Sequence, residues 1–403
     1  MASPLDGIKV LDMGWLMVGP ASARYLTDLG ADTIKLESRK RLDPLRSLGP
    51  FKDGRPGPER SLSYHKINAS KRSIAINLRL EQGKEIARRL ANWADILIES
   101  FTPGAIDEMG LSYDTLRESN PGLIMVSTGI LGRTGPYGKG TSGTGVTGAS
   151  YAGATGLLGW KDRKPYGPRG PWTDAVAPRF VVSAILAALH RRQQTGEGCH
   201  IDVAQAECGV QFLLPAFMQY AANRIDPERE GRAGSPLRAP CGIYRCAGHD
   251  RWIAIDASSD PCWRALRELV GGELHDAAFK TLVGRLRSRE RLDRAITAWT
   301  GGRDAIELEE RLQQAGVAAH VVSQALDLTH DSDLRHQGYF RPIEDAAIGA
   351  TETIAPQFEL SKTPTIEPRA GPRVGDSTGD ILRFACGYSQ SDIDRFAAEG
   401  VTE

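Results

Sequence analysis

Gly7-Ile8-Lys9-Val10-Leu11-Asp12-Met13-Gly14 is followed by helical spacing over residues 21–29, a stop at Gly30, and then Asp32-Thr33-Ile34-Lys35-Leu36-Glu37. A short apolar run bounded by glycine predicts a buried strand, and a glycine after the last apolar turn ends a helix. Two strands joined through a helix are expected to lie parallel, because an antiparallel neighbour needs only a tight turn.

The same unit repeats downstream. Arg72-Ser73-Ile74-Ala75-Ile76-Asn77-Leu78 alternates apolar and polar residues, residues 81–93 have an amphipathic helical spacing, and Asp95-Ile96-Leu97-Ile98-Glu99-Ser100 follows at once as a strand. Leu123-Ile124-Met125-Val126-Ser127-Thr128 and His200-Ile201-Asp202-Val203 are two more strands. Strands alternating with helices predict an α/β fold with a doubly wound parallel sheet. Between them, residues 129–173 are rich in Gly, Pro, Thr and Ser, which predicts a long irregular segment of functional use. Residues 175–192 predict a long, largely buried helix.

At roughly 150 residues per domain, a chain of this length holds two or three domains. The charged connector 225–238 precedes a predicted hairpin over 241–257, turning at Gly248-His249-Asp250, and helices to about residue 315. That composition predicts a smaller α+β domain. The chain after residue 326 reads as loop-rich, with Pro356, Pro364, Pro368 and Pro372, and ends in a helix over 389–400. The expected division is therefore 1–224 for the first part of a large domain, 225–325 for the small domain, and 326–403 for a return segment completing the large one.

Lys plus Arg and Asp plus Glu each number 50, so no basic excess marks nucleic acid as a partner. The six cysteines are too scattered over 403 residues for a disulfide scaffold or a zinc site and read as reduced thiols. The N-terminal residues lack a basic start and an apolar signal core, and no run of 18 apolar residues predicts a membrane span. The expected compartment is the cytoplasm.

Several motifs fail on context. Gly143-Thr144-Gly145-Val146-Thr147-Gly148 spells GxGxxG, but the preceding strand ends near Gly129, whereas a dinucleotide site needs a strand directly before the loop. Gly138-Lys139-Gly140-Thr141 lacks the spacing of a phosphate loop, there is no GxSxG nucleophile elbow, and the eight histidines show no metal-ligand spacing. Asp174 stands where the glycine-rich segment meets the long helix. Its local pattern reads first as an N-cap, with Pro178 early in the helix, and is compatible with a carboxylate kept anionic by the helix N-terminus and usable as a nucleophile.

The chain resembles the class III CoA-transferase family, which includes formyl-CoA:oxalate and carnitine CoA-transferases and 2-methylacyl-CoA racemases. The resemblance runs through most of the chain. It is carried by Pro4-Leu5-Asp6-Gly7-Ile8-Lys9-Val10-Leu11-Asp12, Gly19-Pro20 and Leu29-Gly30-Ala31-Asp32-Thr33-Ile34-Lys35-Leu36-Glu37. It continues through Asn68-Ala69-Ser70-Lys71-Arg72-Ser73-Ile74, Asp95 to Phe101 with Pro103-Gly104-Ala105 and Met109-Gly110, and Asp174 with Ala187-Ala188-Leu189, Arg191, Thr195-Gly196 and Gly198. It implies a Rossmann-like large domain built from both termini, a smaller inserted domain and an intertwined dimer.

The resemblance also implies the chemistry. Coenzyme A would be a substrate rather than a tightly bound cofactor, exchanged between an acyl-CoA and a small carboxylic acid, with Asp174 as the catalytic carboxylate. Leu16, Met17 and Val18 after the first strand, Ile76 and Arg79 after the third, and Phe101 and Ala105 after the fourth would hold CoA. Arg39 and Arg46 are nearby candidates for its phosphates. Leu16 to Val18 fit core packing equally well. Ser100 and Glu108 depart from residues that some members carry, Asn and Arg. Trp160, Tyr166 and Trp172 flank the aspartate in sequence, and facing a pocket they would suit a bulky acid such as a substituted succinate, with succinyl-CoA as donor. The resemblance leaves a homodimer and a heteromer with a related subunit both open. A racemase would need an acid-base partner such as histidine, and residues 100–189 contain none. A non-catalytic subunit need not keep Asp174, and a nicotinamide oxidoreductase is the remaining, more distant reading.

Overall fold

The computed structural model describes residues 2–138, 143–160, 162–168, 170–229 and 237–402. Contacts divide the chain into two compact units, one of residues 1–154, 167–225 and 335–403, the other of 155–166 and 226–334.

In the first unit, β1 (Lys9–Met13), β2 (Asp32–Glu37), β3 (Arg72–Ala75), β4 (Ile96–Glu99), β5 (Ile124–Gly129) and β6 (Cys199–Ala204) form one sheet in the order β3-β2-β1-β4-β5-β6. Every neighbouring pair is parallel, with Leu11 opposite both Ile34 and Leu97. This is the doubly wound order, in which successive connections run outward in opposite directions from β1. Both faces are covered, so the strands are apolar almost throughout. Leu11, Met13, Leu36 and Ile74 pack with Ile86 and Leu90 of the helix α3 (Glu81–Trp93) on one face. Val10, Ile96, Ile98 and Val126 pack with Ala23 and Leu26 of α1 (Val18–Asp28), and with Val181 and Ile185 of the helix Trp172–Thr195, on the other.

That helix is apolar and long enough to cross a membrane, but it is the central helix against this sheet, packed on α1. It is less buried than its sequence predicts: Phe180 and Leu186 are exposed. The C-terminal segment returns to the sheet, where the amide of Asn77 bonds the carbonyl of Val401 and that of Ser377 the carbonyl of Ser73. Two segments expected to be irregular hold regular structure. Residues 129–173 contain the helices Gly145–Tyr151 and Ala154–Leu157, and the segment after residue 326 contains the antiparallel hairpin β10 (Phe340–Asp345) and β11 (Gly349–Ile354). In both, glycine and proline content masked elements too short to show a period.

In the second unit, β7 (Cys241–Arg245), β8 (Trp252–Asp256) and β9 (Ala318–Val321) form an antiparallel sheet, the first two being the hairpin read from the sequence. Tyr244, Ile253 and Ile255 bury against Trp263, Phe279, Ile296 and Leu308 of the surrounding helices. All six cysteines are free thiols.

Candidate active site

Ligands of doubly wound sheets sit beyond the carboxyl ends of the strands, where the winding reverses. Here that point lies between β1 and β4, so the loops after Met13 and after Glu99 face one another. The β1 loop is held one amide at a time. Gly14 donates to Asp12 Oδ1 at 2.9 Å, Trp15 to Ser100 Oγ at 2.6 Å, and Leu16 to Asp43 Oδ1 at 3.0 Å. These bonds hold Leu16 at φ 61°, a left-handed conformation unfavourable for a branched side chain.

Beneath the loop lies a buried charge cluster. Lys35 Nζ donates to the Gly14 carbonyl at 2.5 Å and stands 3.1 Å from Asp43 Oδ2. Lys71 Nζ bonds Asp12 Oδ2 at 2.7 Å, with the Pro20 carbonyl and Asn68 Oδ1 each at 2.8 Å. Burial pulls the Lys71 ammonium down to about 8, opposed by Asp12, whereas for Lys35 the attraction of Asp12 and Asp43 outweighs burial and raises it. The Asn-x-x-Lys-Arg-Ser stretch thus supports the site from below.

Two cavities open over these loops. One, of about 570 Å³, is walled by Leu16, Met17 and Val18, by Leu45, Ile67 and Ile130, and contains Asp174. The other, of about 510 Å³, is lined by Ile76, Arg79, Phe101 and Ala105, with Lys40 and Arg41. Trp15, Phe101 and Thr102 line both. The Arg41 guanidinium lies 4.7 Å above the Trp15 ring, and Trp15 meets Phe101 edge to face at 5.8 Å. The second cavity offers cations and aromatic faces; the first is mostly apolar around one carboxylate.

Asp174 is not the N-cap. The helix begins at Trp172 with Pro171 before it, so Asp174 lies in the first turn with its side chain directed into the cavity. Pro178 lies deeper in the helix than expected, where its missing N–H leaves the carbonyl of Asp174, four residues earlier, without its helical donor. The carboxyl is pushed up from 3.8 to about 6 by burial, opposed by a hydrogen bond from the Gly145 amide. At ~1.4 kcal/mol per pH unit, burial outweighs the ~0.3–1 kcal/mol expected from an exposed helix end. The group is nevertheless mostly ionised at neutral pH.

The sequence-selected residues divide. Leu16, Met17, Val18 and Asp174 meet in the first cavity, and Ile76, Arg79, Phe101 and Ala105 in the second. Arg39 lines neither; its guanidinium donates to the Val374 carbonyl at 2.8 Å, and its neighbours Lys40 and Arg41 take the place expected of it. Arg46 is no phosphate ligand. It is fully buried, paired with Glu37 at 2.8 Å and Glu59 at 2.7 Å, and stacked on Tyr64. Trp172 lines neither cavity, because its ring packs edge to face on Phe212. Trp160 and Tyr166 belong to the second unit. Of the glycine-rich stretch 138–148, Gly143 and Thr144 line the Asp174 cavity, while residues 139–142 lie outside the described residues.

Sequence reasoning missed Trp15, Lys66, Gln205 and the Gly145 amide. Trp15 could have been found from its place between Gly14 and Leu16; the others come from elements far apart in sequence. No histidine is among the described residues lining the Asp174 cavity. His200 instead bonds Ser127 Oγ at 2.9 Å, and His65 is buried between the carbonyls of Glu59 and Gly371. Among the described residues no cluster of His, Cys, Asp and Glu could hold a metal ion.

The model of CoA-transferase family III matches residues 5–378. The alpha subunit of a succinyl-CoA–L-malate CoA-transferase from Chloroflexus aurantiacus is 31% identical over 408 residues, covering 99% of this chain and 92% of that protein. Subunit BbsE of a succinyl-CoA:(R)-benzylsuccinate CoA-transferase from Thauera aromatica is 32% identical over 417 residues, covering 99% and 98%. The crystal structure of a CAIB/BAIF family protein from Brucella suis superposes with a TM-score of 0.86 at 29% identity, covering 96% of this chain and 100% of that one.

Proposed function

The chain belongs to CoA-transferase family III, and from that premise we propose that it moves CoA from succinyl-CoA to a dicarboxylic acid through covalent intermediates on Asp174. The observation that carries this reading is a half-buried carboxylate in a mostly apolar cavity that shares Trp15 and Phe101 with a second one lined by Lys40, Arg41 and Arg79. Arg79, Lys40 and Arg41 suit the phosphates of CoA, and the Trp15–Phe101 pair lies where its thiol arm would pass toward Asp174.

The carboxylate of Asp174 attacks the donor thioester carbonyl, the C–S bond breaks, and CoA leaves as the thiolate from a mixed anhydride. The thiolate then attacks the aspartyl carbonyl, releasing the donor acid as its carboxylate and leaving an aspartyl-CoA thioester. The acceptor carboxylate attacks that thioester, forming a second anhydride, and the returning thiolate takes the acceptor acyl group and frees Asp174. No net proton is consumed, so the carboxylate needs no acid-base partner. Its partial burial limits the access of water to the anhydrides. The absence of histidine from the described wall of this cavity favours transfer over racemisation.

Two relatives are named for transfer from succinyl-CoA to L-malate and to (R)-benzylsuccinate, both dicarboxylic acids. Both are named as subunits, which supports assembly with a second chain, either another copy or a related subunit. Exposed Phe212, Phe217, Met218 and Tyr220, each about half accessible or more except Phe217 at 46%, support an intertwined dimer that covers them. The deciding experiment is hydroxylamine trapping during turnover with succinyl-CoA, read by mass spectrometry. Asp174 should be marked and Asp174→Ala unmarked; a mark elsewhere, or undiminished transfer by a folded Asp174→Ala, overturns the mechanism.

A further inference from the structure

The cavity around Asp174 contains one other charged side chain among its described lining residues, Lys66. Lys66 lies on α2 (Leu62–Ile67), and Ser63, one turn earlier, lines the same wall. Neighbouring cations are neutralised inside the protein: Lys35 by Asp43, Lys71 by Asp12, and Arg24 by Asp28. Lys66 has no carboxylate partner among the described residues. A second cation, Arg24, lies close by, its guanidinium donating to the Lys66 carbonyl at 2.6 Å. The surrounding protein and Arg24 both push the ammonium below the ordinary lysine range. Lys66 keeps part of its surface in solvent, and an ammonium without a carboxylate partner on the wall of a mostly apolar cavity can receive an anion there.

Asp174 does not satisfy it. No ion pair joins the two among the described residues, and their shifts have other causes, burial and the Gly145 amide for Asp174, burial and Arg24 for Lys66. A monocarboxylic acyl group reacting at Asp174 would leave Lys66 unpaired, whereas a dicarboxylic one presents a second carboxylate.

We propose that Lys66 determines acid specificity by pairing with the non-reacting carboxylate of a dicarboxylic acyl group while the other carboxyl reacts at Asp174. This rests on the aspartyl mechanism proposed above. The same ammonium serves both halves of the exchange, since succinyl donor and dicarboxylic acceptor occupy the cavity in turn. The apolar wall of Leu45, Ile67 and Ile130 then accommodates the carbon skeleton between the two carboxyl groups.

The test compares succinyl-CoA with butyryl-CoA, which has the same chain length and no second carboxylate, in the wild type, Lys66→Met and Lys66→Arg. In Lys66→Met, kcat/KM for succinyl-CoA should fall about 10- to 100-fold, the usual range for losing one charge-assisted pair. Butyryl-CoA should stay within about twofold, which also shows that the variant folds, and Lys66→Arg should keep most of the succinyl preference. Equal losses with both donors, or an unchanged preference, would overturn the proposal. If butyryl-CoA turns over too slowly to follow, the ratio of calorimetric Kd values for succinate and butyrate gives the same reading: it should collapse in Lys66→Met, and a ratio left intact refutes the role. Hydroxylamine capture separates this idea from its premise. No capture at Asp174 in the wild type overturns the aspartyl mechanism, while the succinate-to-butyrate ratio still reports on Lys66.

Discussion

The Gly145 amide donates to the Asp174 carboxylate, and a β-carbon on Gly145 would lie 2.8 Å from Asp174 Oδ2. The same β-carbon would lie 2.6 Å from that of Pro171, so neither the helix start nor the carboxylate leaves room. The start of one helix thereby fixes the carboxylate in the first turn of another.

Gly145→Ala should therefore move the carboxylate. We expect kcat/KM to fall about 10- to 100-fold, with a stability loss of about 1–3 kcal/mol typical of an overpacked site. Steady-state kinetics beside a urea melt checks this. A variant as active as the parent would show that the contact imposes no constraint.

The carboxyl near 6 gives a pH profile. The nucleophile is the anion, so kcat/KM for acyl-CoA should fall about tenfold per pH unit below about 6. Stability runs the other way. The folded value lies above the ordinary 3.8, so the carboxyl's favourable contribution is complete below that value and is lost as pH rises through about 6. Asp174→Asn should then be more stable than the parent at pH 8, by on the order of 1–3 kcal/mol, and nearly equal to it at pH 4. Thermal melts at the two pH values decide the sign.

The Lys35–Asp43 pair stands under the β1 loop with both side chains fully buried. Lys35→Met strands Asp43 and should cost about 3–5 kcal/mol, while Lys35→Met with Asp43→Leu should cost less than the sum of the single changes. Asp43 also holds the Leu16 amide, so Asp43→Ala should raise KM for acyl-CoA more than it lowers kcat. Loss of kcat alone would place the loop's role elsewhere.

The exposed apolar face gives a test of assembly. Phe217→Glu, at a position 46% exposed in the single chain, tests the proposed dimer: it should lower the mass seen by light scattering after size exclusion to that of one chain. An unchanged mass would leave that face unconnected with assembly.

The parallel sheet was legible in the sequence, because strand and helix periods are local and the strands alternate with helices. The sequence also picked out Asp174 at the start of the long helix, and by family resemblance the residues following β1, β3 and β4. Only the tertiary structure decided which charged groups are free. Arg46 and Lys66 are both basic residues near the same loops, yet Glu37 and Glu59 consume the charge of Arg46, while Lys66 lines the Asp174 cavity with no ion pair among the described residues. The same holds for Trp172, drawn onto Phe212, and for Gly145, whose amide reaches an aspartate 29 positions later. Pairing and burial depend on neighbours far along the chain, and one sequence without its fold does not say which neighbours those are.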